Sequence, residues 1–101
     1  MMTIYALADP ETQRVYYVGR TQNKRIRKRS YRVSHYRAND ALSDWLKALR
    51  GKGLQARFIV LEDNISYLNG SLQEHFWIQL FHASGAPLLN RNMLQDIYNF
   101  I

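Results

Sequence analysis

The chain contains no cysteine, which excludes a disulfide framework, a thiolate metal site and a thiol nucleophile. Its three histidines, His35, His75 and His82, fall at no metal-binding spacing. No apolar stretch approaches the roughly 18–20 residues a membrane-spanning helix needs, and no charged-then-apolar leader opens the chain. The cytoplasm is therefore the expected location. Internal repeats, linkers and low-complexity segments are missing too. The most telling absence is local: between Arg20 and Arg37 there is no acidic residue.

What fills that interval is positive charge. Arg20, Lys24, Arg25, Arg27, Lys28, Arg29, Arg32 and Arg37 make up eight of the fourteen Lys and Arg residues, in a chain whose net charge is +6. A solvated helix normally alternates charge signs, so a one-sign block repels itself unless a polyanion lies nearby. Nucleic acid is the expected partner. An acidic membrane surface comes second, because segment 25–37 carries few apolar positions, chiefly Ile26, Tyr31 and Val33, too few for an amphipathic membrane helix. With 101 residues, 47% of them hydrophobic, the chain is expected to fold as one domain, 1–101, around a single core.

Hydrophobic patterning predicts the elements in order. Thr3 to Ala8 reads as a strand, Asp9-Pro10-Glu11-Thr12-Gln13 as a hairpin loop with Pro10 second in a type I turn, and Arg14 to Gly19 as the returning strand. A basic helix follows over 25–37. Asn39 or Asp40 caps a second helix, with Leu42, Trp45, Leu46 and Leu49 on one face and Gly51 at its end. Residues 56–62 read as a central strand, followed by a loop from Asp63 to Gly70. A third helix spans Ser71 to about Ser84, stopped by Gly85. Leu72, Phe76, Trp77, Ile78, Leu80 and Phe81 surround most of that helix and predict that it lies in the middle of the core. His75 and His82 read as partly buried residues of it. Pro87 keeps residues 86–90 extended, and Met93 to Ile101 predicts a last helix. The expected fold is α/β (α+β): a small, three-stranded, chiefly antiparallel sheet packed with helices in the order β-β-α-α-β-α-α.

If Ala8 pairs with Arg14, Tyr5 stands directly opposite Tyr17, with Cβ atoms roughly 4.5–5.5 Å apart on one face. Two phenol hydroxyls would then converge. Tyrosine also suits a half-buried pleat with no further role.

Five pieces of the sequence together resemble the GIY-YIG nuclease family, over almost the whole chain. Thr3-Ile4-Tyr5 is similar to the first half of its motif, with Thr3 where a glycine is usual. Tyr17-Val18-Gly19 resembles the second half, continued by Gly19-Arg20-Thr21. Leu42 to Gly53 is similar to its tryptophan-containing second helix, and Val60-Leu61-Glu62 to its third strand. Glu74-His75-Phe76-Trp77-Ile78 resembles its Glu-x-x-Trp-Ile, and Leu88-Leu89-Asn90 its terminal asparagine.

The resemblance implies a bare catalytic domain that hydrolyses DNA phosphodiester bonds with one divalent metal, Mg²⁺ or Mn²⁺, and with low sequence specificity. Such hydrolysis needs an activated water, stabilised phosphoryl charge and help for the leaving oxygen. Glu74 is the expected metal ligand, since a hard cation typically takes one or two carboxylates plus waters and phosphate oxygens. Ser71-Leu72-Gln73-Glu74 is equally a capping box. Tyr5 and Tyr17 are candidates to orient or deprotonate the water, although a phenol near pKa 10 needs cations to lower it. Asn90 would hold the site together by hydrogen bonds, or cap a helix.

The family places an arginine on its first helix eight residues after the motif glycine, with histidine or tyrosine four residues later. Counted from Gly19, the resemblance implies Arg27 as the phosphate clamp with Tyr31 assisting, while Arg32 with His35 or Tyr36 gives a similar pattern after an insertion. Arg20, Lys24, Arg25, Lys28, Arg29, Arg32, His35 and Arg37 are the expected DNA contacts. The alternative is a non-catalytic nucleic-acid-binding module on the same fold. The tail Ile97-Tyr98-Asn99-Phe100-Ile101 offers an interface for a homodimer.

Overall fold

A computed structural model describes residues 1–33 and 40–90. The elements are β1 (Met2–Ala8), β2 (Val15–Thr21), α1 (Lys24–Val33), α2 (Asp40–Gly51), β3 (Arg57–Ile65), a 3-10 turn (Tyr67–Asn69) and α3 (Gly70–Ala83). The three strands form one antiparallel sheet in the order β2-β1-β3. The α+β architecture expected from patterning is present. The end of the basic helix, the cap at Asn39, His35, Tyr36, Arg37 and the last helix with its dimer tail lie outside the described residues.

The central strand is β1, not the strand around residues 56–62. All seven residues of β1 are buried, as a strand covered on both faces requires. Tyr5, Leu7, Tyr31, Leu42 and Leu46 form a cluster on one face, joined by Tyr17, Trp45, Ala56 and Phe58. Ile4, Val18 and Ile78 form another, joined by Leu61, Ile65, Trp77 and Phe81. Odd-numbered residues of β1 thus face α1 and α2, and even-numbered ones face α3. β3 is an edge strand, and its composition explains why: Arg57, Glu62, Asp63 and Asn64 need water, and even Val60 is 44% exposed.

The hairpin register also departs from expectation. Tyr5 pairs with Gly19, and Tyr17 with Leu7. The loop is longer than five residues because Asp9 organises it: Glu11 N and Thr12 N donate to Asp9 Oδ1 at 2.8 and 2.9 Å, and Gln13 takes a left-handed φ of 65°. A bulge follows, since Ala8 pairs with Val15 while Leu7 pairs with Tyr17, leaving Tyr16 as the extra residue. Such a bulge re-aims a side chain; the Tyr16 ring stacks on Trp45 of α2 at 4.8 Å. A two-residue shift preserves the faces, so Tyr5 and Tyr17 remain neighbours, their rings 6.5 Å apart.

α1 starts at a side-chain cap, Ile26 N donating to Asn23 Oδ1 at 3.1 Å. α2 and α3 each end in paired carbonyl bonds over a left-handed glycine, Gly53 (φ 74°) and Gly85 (φ 86°). Leu54 N reaches Leu49 O while Gly53 N reaches Arg50 O, and Ala86 N reaches Phe81 O while Gly85 N reaches His82 O.

α3 is not in the middle of the core. Only Gly70 and Ile78 are buried in it, whereas Leu72, Phe76 and Leu80 are 51%, 52% and 44% exposed. With β1 already sandwiched, a helix on the outer layer has one covered side, and its remaining apolar residues face outward. His82 is exposed, against expectation, while His75 is half-buried with its ring nitrogen 2.8 Å from Ser71 O.

Candidate functional site

Tyr5, Arg27 and Tyr31 form a connected group. Tyr5 Oη lies 2.6 Å from Tyr31 Oη, and Arg27 Nη1 donates to Tyr5 Oη at 3.3 Å. Arg27 and Tyr31 are four residues apart on the inner face of α1, while Tyr5 comes up from β1 beneath them. Tyr5 is fully buried and Tyr31 nearly so, whereas Tyr17 and Arg27 are half-buried. Because Tyr5 exposes no surface, it is placed to hold Arg27 and Tyr31 rather than to meet a substrate. Tyr17, like Tyr16 beside it in β2, keeps partial solvent access.

Glu74 approaches from the opposite side of the sheet. Ser71 is the second residue of α3, and the cap is Asn69 without a side-chain bond. Ser71 and Glu74 therefore lack the cap-to-third-residue relation a capping box requires. Glu74 Oε1 instead stands 3.9 Å from Arg20 Nε, its side chain 21% exposed. Arg20 sits near the end of β2, next to α1 in sequence.

The two groups meet at a cavity of about 390 Å³ lined by Met2, Arg20, Thr21, Gln22, Asn23, Ile26 and Arg27. Arg27 carries the phenol group into it, and Arg20 carries the contact with Glu74. Two guanidiniums around one opening at a strand end suit a phosphate. Sequence reasoning placed Arg20 among general nucleic-acid contacts and missed its link to Glu74. The only available signal was its position one residue past Gly19.

Among the described residues no group of three or more His, Asp or Glu is placed to hold a metal. The other acids nearby are engaged. Glu62 Oε1 accepts from Trp77 Nε1 at 2.7 Å. Asp63 accepts from Thr3 Oγ1 at 2.6 Å and pairs with Lys24. The bond from Lys24, then that from Thr3, holds the Asp63 carboxyl down at about 2. Glu74 does not itself line the cavity and is linked to it through Arg20; beside that opening it would offer a hard cation one carboxylate, completed by water and phosphate oxygens, not a protein cage.

Asn90 makes a two-way bond with the edge strand: Val18 N donates to Oδ1 at 3.1 Å, and Nδ2 donates to Val18 O at 2.7 Å. Leu89 N also donates to Tyr16 O at 2.7 Å. Residues 89–90 therefore cover part of the free edge of β2. Of the cationic residues of α1, Lys24 is tied to Asp63, whereas Arg25, Lys28, Arg29 and Arg32 are exposed. Compared with protein-family models, curated proteins and solved structures, the chain shows no significant match.

Proposed function

We propose that the chain is a divalent-metal-dependent endonuclease of GIY-YIG type that hydrolyses DNA phosphodiester bonds with little sequence preference. One observation carries this: Arg27 touches the Tyr5 phenol and lines the same cavity as Arg20, which faces Glu74. Arg27 and Arg20 bind and orient the scissile phosphate, their forked donors matching its oxygens. Tyr17 positions the attacking water. Tyr5 and Tyr31 hold Arg27 in place, and Asn90 fixes β2 so that Tyr17 keeps its position. Glu74 would hold Mg²⁺ or Mn²⁺, which supplies charge stabilisation at the phosphoryl group when bound. Intracellular DNA as substrate goes with the cytoplasmic location expected from the sequence.

A second reading, a nucleic-acid-binding module without turnover, is favoured by the complete burial of Tyr5. Cleavage of supercoiled and branched DNA with Mg²⁺ or Mn²⁺ separates the two. The nuclease cuts, and Glu74→Ala lowers the rate on the order of 100-fold or more, as loss of a charge-stabilising group does. Binding without cutting by both proteins establishes the module instead.

A further inference from the structure

A second cavity lies on the other flank of α1. It encloses about 300 Å³ between α1 and the start of β3, and its lining includes Lys28, Arg32 and Arg57 above an aromatic floor of Tyr31 and Phe58. None of its lining residues is acidic. Two residues come from the helix and one from the strand, so the charges surround the opening rather than following one helix face. Neither ion pair formed among the described residues involves them. Arg57 donates to the neutral amide of Gln13, which leaves its charge uncompensated. Three like charges around so small a volume repel one another unless an anion lies between them. The floor adds a second property. Phe58 stacks on Tyr5 with centroids 4.6 Å apart, which fixes its ring as a wall of the cavity. A fixed aromatic wall beneath cations suits a nucleobase attached to a phosphate. The volume is at the small end for ligand sites, enough for one nucleotide and not for a duplex.

We infer that this pocket takes a single unstacked nucleotide of a nucleic-acid strand, its phosphate among Lys28, Arg32 and Arg57 and its base against Phe58. This deepens the nucleic-acid reading above and rests on it: it makes the preferred substrate one with an unpaired segment, because an unpaired base leaves its stack to enter without the cost of breaking a base pair.

The test is binding in metal-free buffer with chelator, so that it is independent of cleavage. Fluorescence anisotropy compares a labelled short oligothymidylate with a blunt duplex of equal length. Arg57→Glu is expected to weaken oligothymidylate binding about tenfold and duplex binding by less than about threefold. Lys47→Glu makes the same charge change at an exposed position of α2, and is expected to alter both by less than about twofold. Equal losses from the two variants, equal losses on the two ligands, or no loss from Arg57→Glu would overturn the inference. A domain that never cuts DNA but shows the expected pattern leaves the pocket standing and removes only the nuclease.

Discussion

At Gly19 the Tyr5 hydroxyl occupies the space a side chain would need. A Cβ built there would stand 2.5 Å from Tyr5 Oη, 2.6 Å from Tyr5 Cζ and 3.0 Å from Tyr17 Cε2. Tyr5 is fully buried and stacked on Phe58, so it has little freedom to give way. Gly19→Ala should therefore cost about 1–3 kcal/mol, the usual range for overpacking a tight core. It should also break the 2.6 Å contact between Tyr5 and Tyr31. Chemical denaturation measures the first effect, and a change in tyrosine near-ultraviolet dichroism reports the second; an alanine variant of unchanged stability would mean the phenol is not where it stands here. At this scale Arg27 and Tyr31 were legible as one helix face, and Tyr5 and Tyr17 as one strand face, because a helical step and a strand face are both periodic; only the family resemblance set the two pairs beside each other. The exchange between Arg20 and Glu74 was not legible, since it joins β2 to α3 across a packing arrangement that no local pattern encodes.

α1 is held by few apolar contacts. Among the described side chains of α1, Ile26 is 64% exposed, and Tyr31 is the buried apolar anchor of its inner face. The Asn23 cap and the cluster of Lys24, Asp63 and Thr3 tie the start of the helix to the ends of β1 and β3. Asp63 has its carboxyl lowered from 3.8 to about 2 by the bonds from Lys24 and Thr3. A depressed folded-state value means a contribution that is fully present above the unfolded value and is lost as pH falls through the folded one. Denaturation midpoints of the wild type should thus decline between about pH 4 and pH 2, and Asp63→Asn should flatten that part of the profile. Parallel profiles for the two proteins would show that the cluster does not anchor α1. The sequence disclosed which of the described segments are helices and strands through the three- and four-residue steps of α2 and through apolar runs bounded by turn residues in the strands. It misplaced the central strand, since a short apolar run such as Phe58 to Leu61 looks the same at an edge as in the middle; the charged ends of β3 were the discriminating feature. The hairpin register failed for another reason: the Asp9 turn and the Tyr16 bulge add residues that alternation cannot count. α3 was read as central from its composition alone, yet composition cannot say how many layers cover a helix.

Across the whole molecule, charge and apolar surface are segregated. Between Ser66 and Asn90 the only Asp, Glu, Lys or Arg is Glu74, and α3 exposes Leu72, Phe76 and Leu80. The cations gather on α1 and at the adjoining end of β3. Arg25, Lys28, Arg29, Arg32 and Arg57 are exposed, and Arg25, Lys28, Arg29 and Arg32 together line a further groove along the helix. Lys24 differs, because Asp63 already neutralises it. If Arg25, Lys28, Arg29 and Arg32 each meet one phosphate of either ligand, and Arg57 meets one more on a single strand only, the logarithm of the binding constant should fall against the logarithm of salt concentration with a slope of about −3.6 on duplex DNA and about −3.5 on a single strand. Arg57→Glu should make the single-strand slope shallower by about 0.7 while leaving the duplex slope nearly unchanged, since a duplex cannot enter the cavity beside Phe58. Titrations of both ligands from low to moderate salt measure all four values. A slope near zero on both would remove the phosphate backbone as the partner of this surface, and with it the physical reason for a block of cations without a single acid.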